Sequence, residues 1–378
     1  MNGYVSAHVG VNIRNYIMKM VKLMNPTMKD IARMANVSTN TVSRALNDKK
    51  EISEETRNRI KEIATELNYT PNSIAASLAS QKTNTIGLVT PDIGDPFHAL
   101  QVRGVEDMAR EQGYSVILIN TDEDPETEIE AVNTLRSIRV AGMILNSVFP
   151  DVQYFERLQK QNIPFVLLNR RLPNVHTDYV VNDNYRGAYE ATTHLLKLGH
   201  TKIALILGPL RITSVRDRYE GFARAMNEAG VAIDKNLIAH SEFSKPEAGE
   251  VLATQLINTE PRPTAILAYC DTLAIGAYAA VFKLGLSIPN DIALIGYDDI
   301  LFASYLEVPL TTVAQPAYEM GQVACGIILE RIKLRGEGVD LRGLPKKQTV
   351  FEPHLVVRKS CGAYLRNFKP IPDSGNGC

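Results

Sequence analysis

The sequence predicts a small all-α head followed by a larger α/β body, which consists of two lobes with doubly wound parallel sheets. Two observations carry this prediction. Three short amphipathic segments with helix-capping residues lie between positions 27 and 70, and from Thr85 onward short apolar runs alternate with helix-like stretches. Alternating strands and helices are typical of parallel sheets covered by helices on both faces. The 378 residues are enough for two or three domains.

Charge and cysteine usage separate the head from the body. The net charge is -1, but residues 1–82 hold 12 basic and 7 acidic residues (+5), and the remainder holds 29 and 35 (-6). A basic head on an acidic body is compatible with a polyanionic partner for the head alone. The 4 cysteines form no C-x-x-C pair, so we predict no zinc site, no disulfide framework and no cofactor, and a cytoplasmic location.

The segment 1–26 is expected to be a disordered N-terminal extension. Its apolar residues are interrupted by Arg14, Lys19 and Lys22, and no run reaches the length of a signal-peptide core or a membrane helix. Secretion and membrane association are therefore not expected. At the other end of the chain, residues 361–378 are expected to form a tail.

The head begins with a capping box. Thr27 is suited to the N-cap position and Asp30 to the third helical position, after which Ile31, Met34 and Ala35 share one helical face. A second short helix is expected from Thr39, capped by Ser38, and a third is expected after Ser53. Two helices joined by a tight turn and closed by a third are typical of a helix-turn-helix unit.

The second helix suits a DNA major groove. It is short, and its outward-facing side chains are small, polar or basic. A helix that lies in a groove about 12 Å wide needs these properties. Asn40 can bond adenine and Arg44 can bond guanine, so these are the base-reading candidates. A three-helix module with a solvated polar face remains the alternative interpretation. The candidate DNA contacts are Ser38, Thr39, Asn40, Thr41, Ser43, Arg44, Asn47, Tyr69 and Leu78.

An Ala/Ser-rich segment at 71–83 is predicted to be a hinge helix or linker. Ile74 and Leu78 are spaced like neighbours on a helix, but the segment has little else to bury. Isolated helices below about 12 residues are marginal in water. The segment could order when two copies pack through their Ala faces and an apolar side chain wedges between base steps of a minor groove.

Residues 27–80 resemble the DNA-binding head and hinge of the lactose/galactose repressor family, which includes purine and lactose repressors. The motifs that carry the resemblance are Asp30-Ile31-Ala32, Val37 to Arg44, Leu67-Asn68-Tyr69 and Pro71-Asn72. The resemblance implies a homodimer on a pseudo-palindromic operator. It also implies that Leu78 is the intercalating hinge residue and that the hinge helices fold only on DNA.

The body contains two successive sets of strands and helices. Strands are predicted at 86–89, 116–119, 143–145, 165–168, 202–207, 237–240, 265–268 and 292–296. Helices are predicted at 100–112, 127–138, 152–160, 187–198, 216–229, 248–257 and 273–284. Parallel sheets bind ligands at the carboxyl ends of their strands, and between two lobes these edges face one cleft.

These patterns define an approximate domain plan. The head spans 27–70 and the body, with the predicted effector-binding and dimerisation functions, spans 84–360. Lobe 1 is expected at about 84–184 and 316–344, and lobe 2 at about 185–315 and 345–360.

Two other function classes fit the sequence less well. An α/β enzyme is disfavoured because no G-x-G-x-x-G follows the first strand and no P-loop or G-x-S-x-G elbow is present. A sugar-binding receptor of a transport system remains the alternative function. Such a receptor should carry a secretion signal and no DNA-binding head.

The body resembles the periplasmic-binding-protein-like effector domain of the same repressor family, which extends the resemblance to about residue 358. It implies a transcriptional repressor whose operator affinity is controlled by a small molecule bound between the lobes. The motifs are Asp92 to Phe97, Leu196 to His200, Arg216 to Phe222, Ile295 to Asp299 and Thr311 to Pro316. The effector contacts implied by the family are Phe97, His98, Asn169, Arg170, Arg218, Phe243, Asp271, Asp298 and Gln315.

The side chains at these positions suit an oxygen-rich ligand. Arg218 can bond a carboxylate, a phosphate or a hydroxyl pair through its planar fork, and Asp271 and Asp298 can accept from hydroxyls. Purine-binding members of the family carry Arg and Trp where this chain has Ile212 and Arg170. The resemblance therefore favours a sugar, polyol or sugar phosphate. Whether the ligand induces or co-represses is left open.

Three residues carry structural alternatives. Arg218 could form a salt bridge within the body, and Phe97 could belong to the core and offer no ring face to a ligand. Tyr297 is expected to belong to loop structure.

Overall fold

The structure, a computed structural model, describes residues 26–46, 48, 51–69, 83–148, 152–172 and 176–364. The chain divides into two compact units between Thr83 and Asn84, which are the head and the body. The predictions for Asn47, for Leu78 and for the rest of the hinge up to residue 82 fall outside the described residues. The same holds for residues 1–25 and 365–378.

The head contains the three predicted helices. Ser38 Oγ accepts a hydrogen bond of 3.0 Å from the Thr41 N–H, and the Asp30 carboxylate accepts from the backbone N–H of Thr27. Asn36 adopts the left-handed conformation (φ 53°) that ends the first helix. Apolar residues from every helix form one small core. The helices are α1 (Met28–Ala35), α2 (Thr39–Leu46) and α3 (Glu54–Glu66).

The body alternates strands and helices over its whole length. The strands are β1 (Thr85–Thr90), β2 (Ser115–Asn120), β3 (Gly142–Leu145), β4 (Phe165–Leu168), β5 (Asp178–Asn182), β6 (Ile203–Leu207), β7 (Ile238–His240), β8 (Ala265–Ala268), β9 (Ala293–Asp298), β10 (Thr311–Ala314), β11 (Gln348–Phe351) and β12 (His354–Val356). The helices are α4 (Pro96–Glu111), α5 (Pro125–Ser137), α6 (Val152–Lys160), α7 (Asn184–Lys197), α8 (Thr213–Glu228), α9 (Pro246–Ile257), α10 (Asp271–Lys283) and α11 (Ala317–Gly336).

The strands form two six-stranded sheets, one in each lobe. The order is β11-β5-β4-β3-β1-β2 in lobe 1 and β12-β10-β9-β8-β6-β7 in lobe 2. Pairing is parallel throughout, except that the edge strand β12 runs antiparallel to β10. The predicted two-lobed α/β class is therefore confirmed, and the eight predicted strands all form. The sequence did not predict β5, β10, β11, β12 or α11, of which the four strands are only three to five residues long.

The chain passes between the lobes three times, after β5, β10 and β11. The expectation that 345–360 lies wholly in lobe 2 is wrong, because Gln348–Phe351 pairs in register with Tyr179–Asn182 of lobe 1. Only the following strand, β12, joins the sheet of lobe 2. The sequence gives no local signal for this third crossing, since both strands are short and partly exposed.

Helix pairs cover the sheets at close range. In lobe 1, a Cβ on Gly104 of α4 would collide with the carbonyl oxygen of Tyr318, and a Cβ on Gly321 of α11 would collide with that of Gln101. The absence of side chains at both glycines lets the two helices approach backbone to backbone. Among the described residues, no helix is long and apolar enough to cross a membrane.

Candidate functional site

A cleft of about 460 Å³, including the open solvent at its mouth, lies between the two lobes of the body. Its walls are the segments that follow the carboxyl ends of β1 to β4 in lobe 1 and of β6 to β9 in lobe 2. Both sheets therefore present the same edge to the cleft, as the alternating pattern predicted. Six of the predicted effector residues line it: Phe97, His98, Asn169, Arg170, Arg218 and Asp298.

Phe97 and His98 form the part of the wall that follows β1. Both side chains are buried, and their ring centroids are 5.6 Å apart. Burial lowers the pKa of His98, so its imidazole is neutral near pH 7. Phe97 also belongs to the hydrophobic cluster of lobe 2, so it serves both the core and the cleft wall.

Asn169 and Arg170 bring two unpaired polar atoms to the wall. Arg170 Nη1 donates to the Asn169 carbonyl oxygen at 2.8 Å and to Ser214 Oγ, across the cleft, at 3.2 Å. Arg170 Nε and Asn169 Oδ1 are buried without a hydrogen-bond partner among the described residues. An unpaired buried donor or acceptor costs about 1–3 kcal/mol. The two residues therefore favour a ligand that can both accept and donate hydrogen bonds.

Arg218 lies in α8 and forms the centre of the lobe 2 wall. Its Nε donates to Asn184 Oδ1 at 2.9 Å, and its guanidinium carbon is 3.5 Å from the ring centroid of Tyr297 and 4.5 Å from that of Tyr269. Two aromatic faces thus hold the cation in place. Tyr297 was expected in a loop, but it is a buried residue of β9.

Arg218 also forms a long ion pair, with its Nη2 3.8 Å from Asp298 Oδ1. Both structural alternatives for Arg218, cleft wall and internal pair, therefore apply at once. Burial raises the pKa of Asp298 well above its usual range, and Arg218 opposes this shift. The Asp298 carboxylate further accepts from Gln315 Nε2, and Gln315 Oε1 accepts from Asn182 Nδ2.

Three predicted effector residues do not line the cleft. Gln315 lies in the crossing after β10, where it links Asp298 to Asn182. Asp271 is fully buried inside lobe 2, where it accepts from the Thr312 hydroxyl at 2.6 Å and from the Ile300 N–H at 2.9 Å. The Phe243 side chain is half exposed outside the cleft. The family positions thus coincide with the cleft walls only in part.

Several cleft residues were missed by sequence reasoning. Asp95, Glu123, Ser244 and Tyr269 line the cleft, and each closely follows the carboxyl end of a predicted strand. That position alone could have flagged them. Glu123 also adopts a left-handed backbone (φ 60°), and burial raises the pKa of its carboxyl.

Direct contacts hold the two lobes together around the cleft. The Arg171 guanidinium of lobe 1 donates to both carboxylate oxygens of Asp217 in lobe 2, at 2.8 and 3.0 Å. The Thr213 hydroxyl donates to the Arg171 carbonyl oxygen at 2.9 Å. Glu123 accepts from the Ser244 N–H at 3.2 Å on the other side. We call the contacts of Arg171 with Asp217 and Thr213 the lobe clasp.

In the head, α2 presents the predicted polar surface. Thr39, Asn40 and Arg44 are exposed, and Arg44 Nη1 lies 3.2 Å from Glu51 Oε2 in an ion pair between exposed groups. Ser38 and Thr41 bond each other at the helix start, and Ser43 also takes part in an interaction. Tyr69 packs partly buried against the head core.

No cluster of His, Cys, Asp and Glu suited to a metal ion occurs among residues the structure describes. The residues that line the cleft offer hydrogen-bonding groups and aromatic faces, which suit a small polar molecule.

Comparison with known proteins gives matches to both units. A family model described as "Bacterial regulatory proteins, lacI family" matches residues 27–72. A second, described as "Periplasmic binding proteins and sugar binding domain of LacI family", matches residues 83–351.

Individual proteins match over nearly their full length. The HTH-type transcriptional regulator DegA of Bacillus subtilis (strain 168) is 38% identical over 340 residues, which is 89% of this chain and 98% of that protein. Among solved structures, a transcriptional regulator CelR–cellobiose complex is 30% identical with TM-score 0.67, covering 89% of this chain and 99% of that one. The lac repressor dimer bound to operator and the anti-inducer ONPF is 28% identical with TM-score 0.76, covering 89% and 98%.

Proposed function

We propose that this chain, which belongs to the lacI family of bacterial regulatory proteins, is a repressor. Its binding to operator DNA is controlled by a sugar or sugar derivative. The family consists of transcription regulators, not enzymes, and we assign no catalytic role to any residue. The head binds a pseudo-palindromic operator as part of a homodimer in the cytoplasm. The ligand binds between the two lobes of the body.

The pair of unpaired polar atoms in the cleft wall is the observation that supports a sugar. Arg170 Nε needs an acceptor and Asn169 Oδ1 needs a donor. A hydroxyl group is both, so a polyhydroxylated ligand supplies each kind of partner. Aromatic and apolar residues nearby offer faces for the ring carbons, with Phe97 and Ile212 among the lining residues. The cellobiose held by one related structure is of this chemical class.

We assign the DNA contacts to α2 and the hinge. Asn40 and Arg44 read bases, while Ser38, Thr39, Thr41 and Ser43 contact bases or phosphates. Arg44 must leave Glu51 to do so, which costs little because both groups are exposed. Asn47 and Tyr69 contact DNA from the edges of the head. Leu78 wedges into the minor groove.

We assign the effector contacts to the six predicted residues that line the cleft, together with Tyr269, Asp95 and Ser244. Asp271 and Gln315 act as positioning residues, since they bind Thr312 and Asp298 and hold the walls of lobe 2. Phe243 contacts a ligand only if the segment around it moves. The domain plan is retained, except that Gln348–Phe351 is assigned to lobe 1.

A thermal-shift panel of sugars, sugar phosphates and nucleobases tests the ligand class, because a ligand that binds the native state raises the melting temperature. At least one sugar should raise it in a saturable manner, and nucleobases should not. Asn169→Gly removes the unpaired oxygen and suits the left-handed backbone at that position (φ 59°). It should weaken the sugar about tenfold, as expected for a lost hydrogen bond of about 1.4 kcal/mol.

Asn68→Gly is the matched control, because Asn68 is also left-handed (φ 51°) but lies in the head. It should leave the sugar affinity unchanged. A response to nucleobases alone, or an Asn169→Gly variant that binds the sugar as the wild type does, would contradict the proposal.

A further inference from the structure

A second cleft lies in lobe 1, at the edge of the sheet opposite to the cleft between the lobes. It has a volume of about 620 Å³, including its mouth, and is lined by Phe165 and Asp178, the first residues of β4 and β5. The cleft between the two lobes, which we call the central cleft, lies at the carboxyl ends of the same parallel strands. The two clefts are therefore separated by the length of the sheet and do not share a wall. We call the second one the amino-edge cleft.

Basic side chains outnumber acidic ones in the amino-edge cleft. Arg331, Arg342 and Lys346 line it, with Asp178 as the only carboxylate among the lining residues described. Asp178 is already paired within the cleft wall, because it accepts from Arg331 Nε and Nη2, both at 2.8 Å, and from the Lys347 N–H at 2.7 Å. Arg342 forms a bidentate pair with Asp340 of its own loop.

Lys346 differs from Arg331 and Arg342, because Asp178 and Asp340 form ion pairs with the two arginines and act on Lys346 only at longer range. Its Nζ donates to the carbonyl oxygen of Leu341 at 2.8 Å and forms no ion pair with any residue in the described part of the chain. Partial burial lowers the pKa of Lys346. An ammonium group has three hydrogens, so Nζ retains donors for a further acceptor.

Arg331 adds a second free donor. Its side chain is 6% exposed, and its Nε and Nη2 are bound to Asp178 and to the Pro345 carbonyl oxygen. Among the described residues, no acceptor is bound to Nη1. A guanidinium nitrogen without an acceptor, on a side chain that lies in the cleft wall beside an ammonium group without an ion pair, is an arrangement that an anion can complete.

We propose that the amino-edge cleft is a second ligand site, which binds a small phosphate-type anion, either inorganic phosphate or the phosphate group of a small metabolite. Lys346 Nζ and Arg331 Nη1 bind the anion, and Arg342 contributes charge from the rim. Phosphate fits better than a single carboxylate because it offers more acceptor oxygens to donors on separate side chains. Asn162 and His176 add polar groups for the remainder of a phosphorylated metabolite.

Isothermal titration with inorganic phosphate and with glycerol 3-phosphate, using glycerol and sodium chloride as controls, tests this site. Saturable binding of phosphate identifies the free ion as a ligand, and binding of glycerol 3-phosphate alone identifies a phosphorylated metabolite. Lys346→Gln should weaken binding about tenfold or more, as expected when a charged hydrogen bond is lost. Lys333→Gln makes the same change at an exposed position of α11 outside the cleft and should bind as the wild type does.

The central cleft provides the second control. Asn169→Gly should leave phosphate binding unchanged, so the outcome does not depend on the ligand of the central cleft. The proposal is overturned if neither anion binds saturably, if Lys346→Gln binds as tightly as the wild type, if Lys333→Gln weakens binding equally, or if Asn169→Gly abolishes it.

Discussion

At the scale of single residues, the lobe clasp is the contact most open to test. Arg171 is half exposed and Asp217 largely covered, so their ion pair contributes less than about 1 kcal/mol. Because it joins the two lobes outside the ligand-lining wall, we expect it to favour a closed arrangement of the lobes without touching a ligand. Removing it should shift the open–closed equilibrium and leave the binding groups intact.

Asp217→Asn should therefore weaken binding of the effector by about two- to fivefold, a loss that corresponds to less than 1 kcal/mol. Titration calorimetry with the sugar identified by the thermal-shift panel measures it. Glu220→Gln, an exposed change on the same helix, should have no effect. Equal affinities for Asp217→Asn and wild type would show that the clasp does not bias closure.

Asp271 should produce a pH dependence of stability. Burial raises its pKa to about 7, above the ordinary value of 3.8. Between about pH 4 and pH 7 the folded state keeps a proton that the unfolded state has lost, so stability decreases as the pH rises through this range. Asp271→Asn cannot ionise and should show a flatter profile. Urea unfolding of both proteins at pH 5 and pH 8 measures the difference, and parallel profiles would contradict the assignment.

Residue roles were the least predictable part from sequence. Phe97 and Arg218 line the cleft, and both are positions that the family resemblance implied. Asp271 was expected to face the ligand, yet its partner Thr312 is 41 residues away in sequence and encloses it within lobe 2. No local pattern reports such a distant partner.

At the scale of elements, close helix contacts fix the architecture. Gly104→Ala places a methyl group against the backbone of α11 and should destabilise the body by about 1–3 kcal/mol, as overpacking does. Gly326→Ala lies on α11 with no atom near the added methyl group, so it should be neutral or stabilise by up to about 1 kcal/mol. Thermal unfolding of both variants measures the contrast. Similar melting temperatures would show that the close approach of α4 to α11 does not restrict the size of the residue at position 104.

The elements themselves were largely predictable. Capping residues and apolar periodicity placed α2 at Thr39–Leu46 and the eight predicted strands within a residue or two of their observed ends. The edge strands β11 and β12 were not predicted, because they are short and only partly buried and no strong apolar pattern marks them. Their assignment to different lobes depends on tertiary pairing.

At the scale of the whole molecule, the two parts of the chain that differ in net charge also differ in their proposed function. Residues 1–82, at +5, supply the attraction to DNA phosphates, and the acidic remainder of the chain, at -6, holds the ligand cleft. The proposed dimer doubles the first contribution, so operator binding should depend strongly on salt. We expect the body to act on DNA binding through its conformation, so that the ligand cleft and the DNA-binding surface are coupled.

That coupling is measured most directly by a thermodynamic cycle. Operator affinity is determined by fluorescence anisotropy with and without saturating sugar, and sugar affinity by calorimetry with and without operator. Linkage requires that both affinities change by the same factor, typically about 5- to 150-fold. We expect equal factors, both different from one, for the wild type. An operator affinity that is the same with and without bound sugar would contradict this expectation.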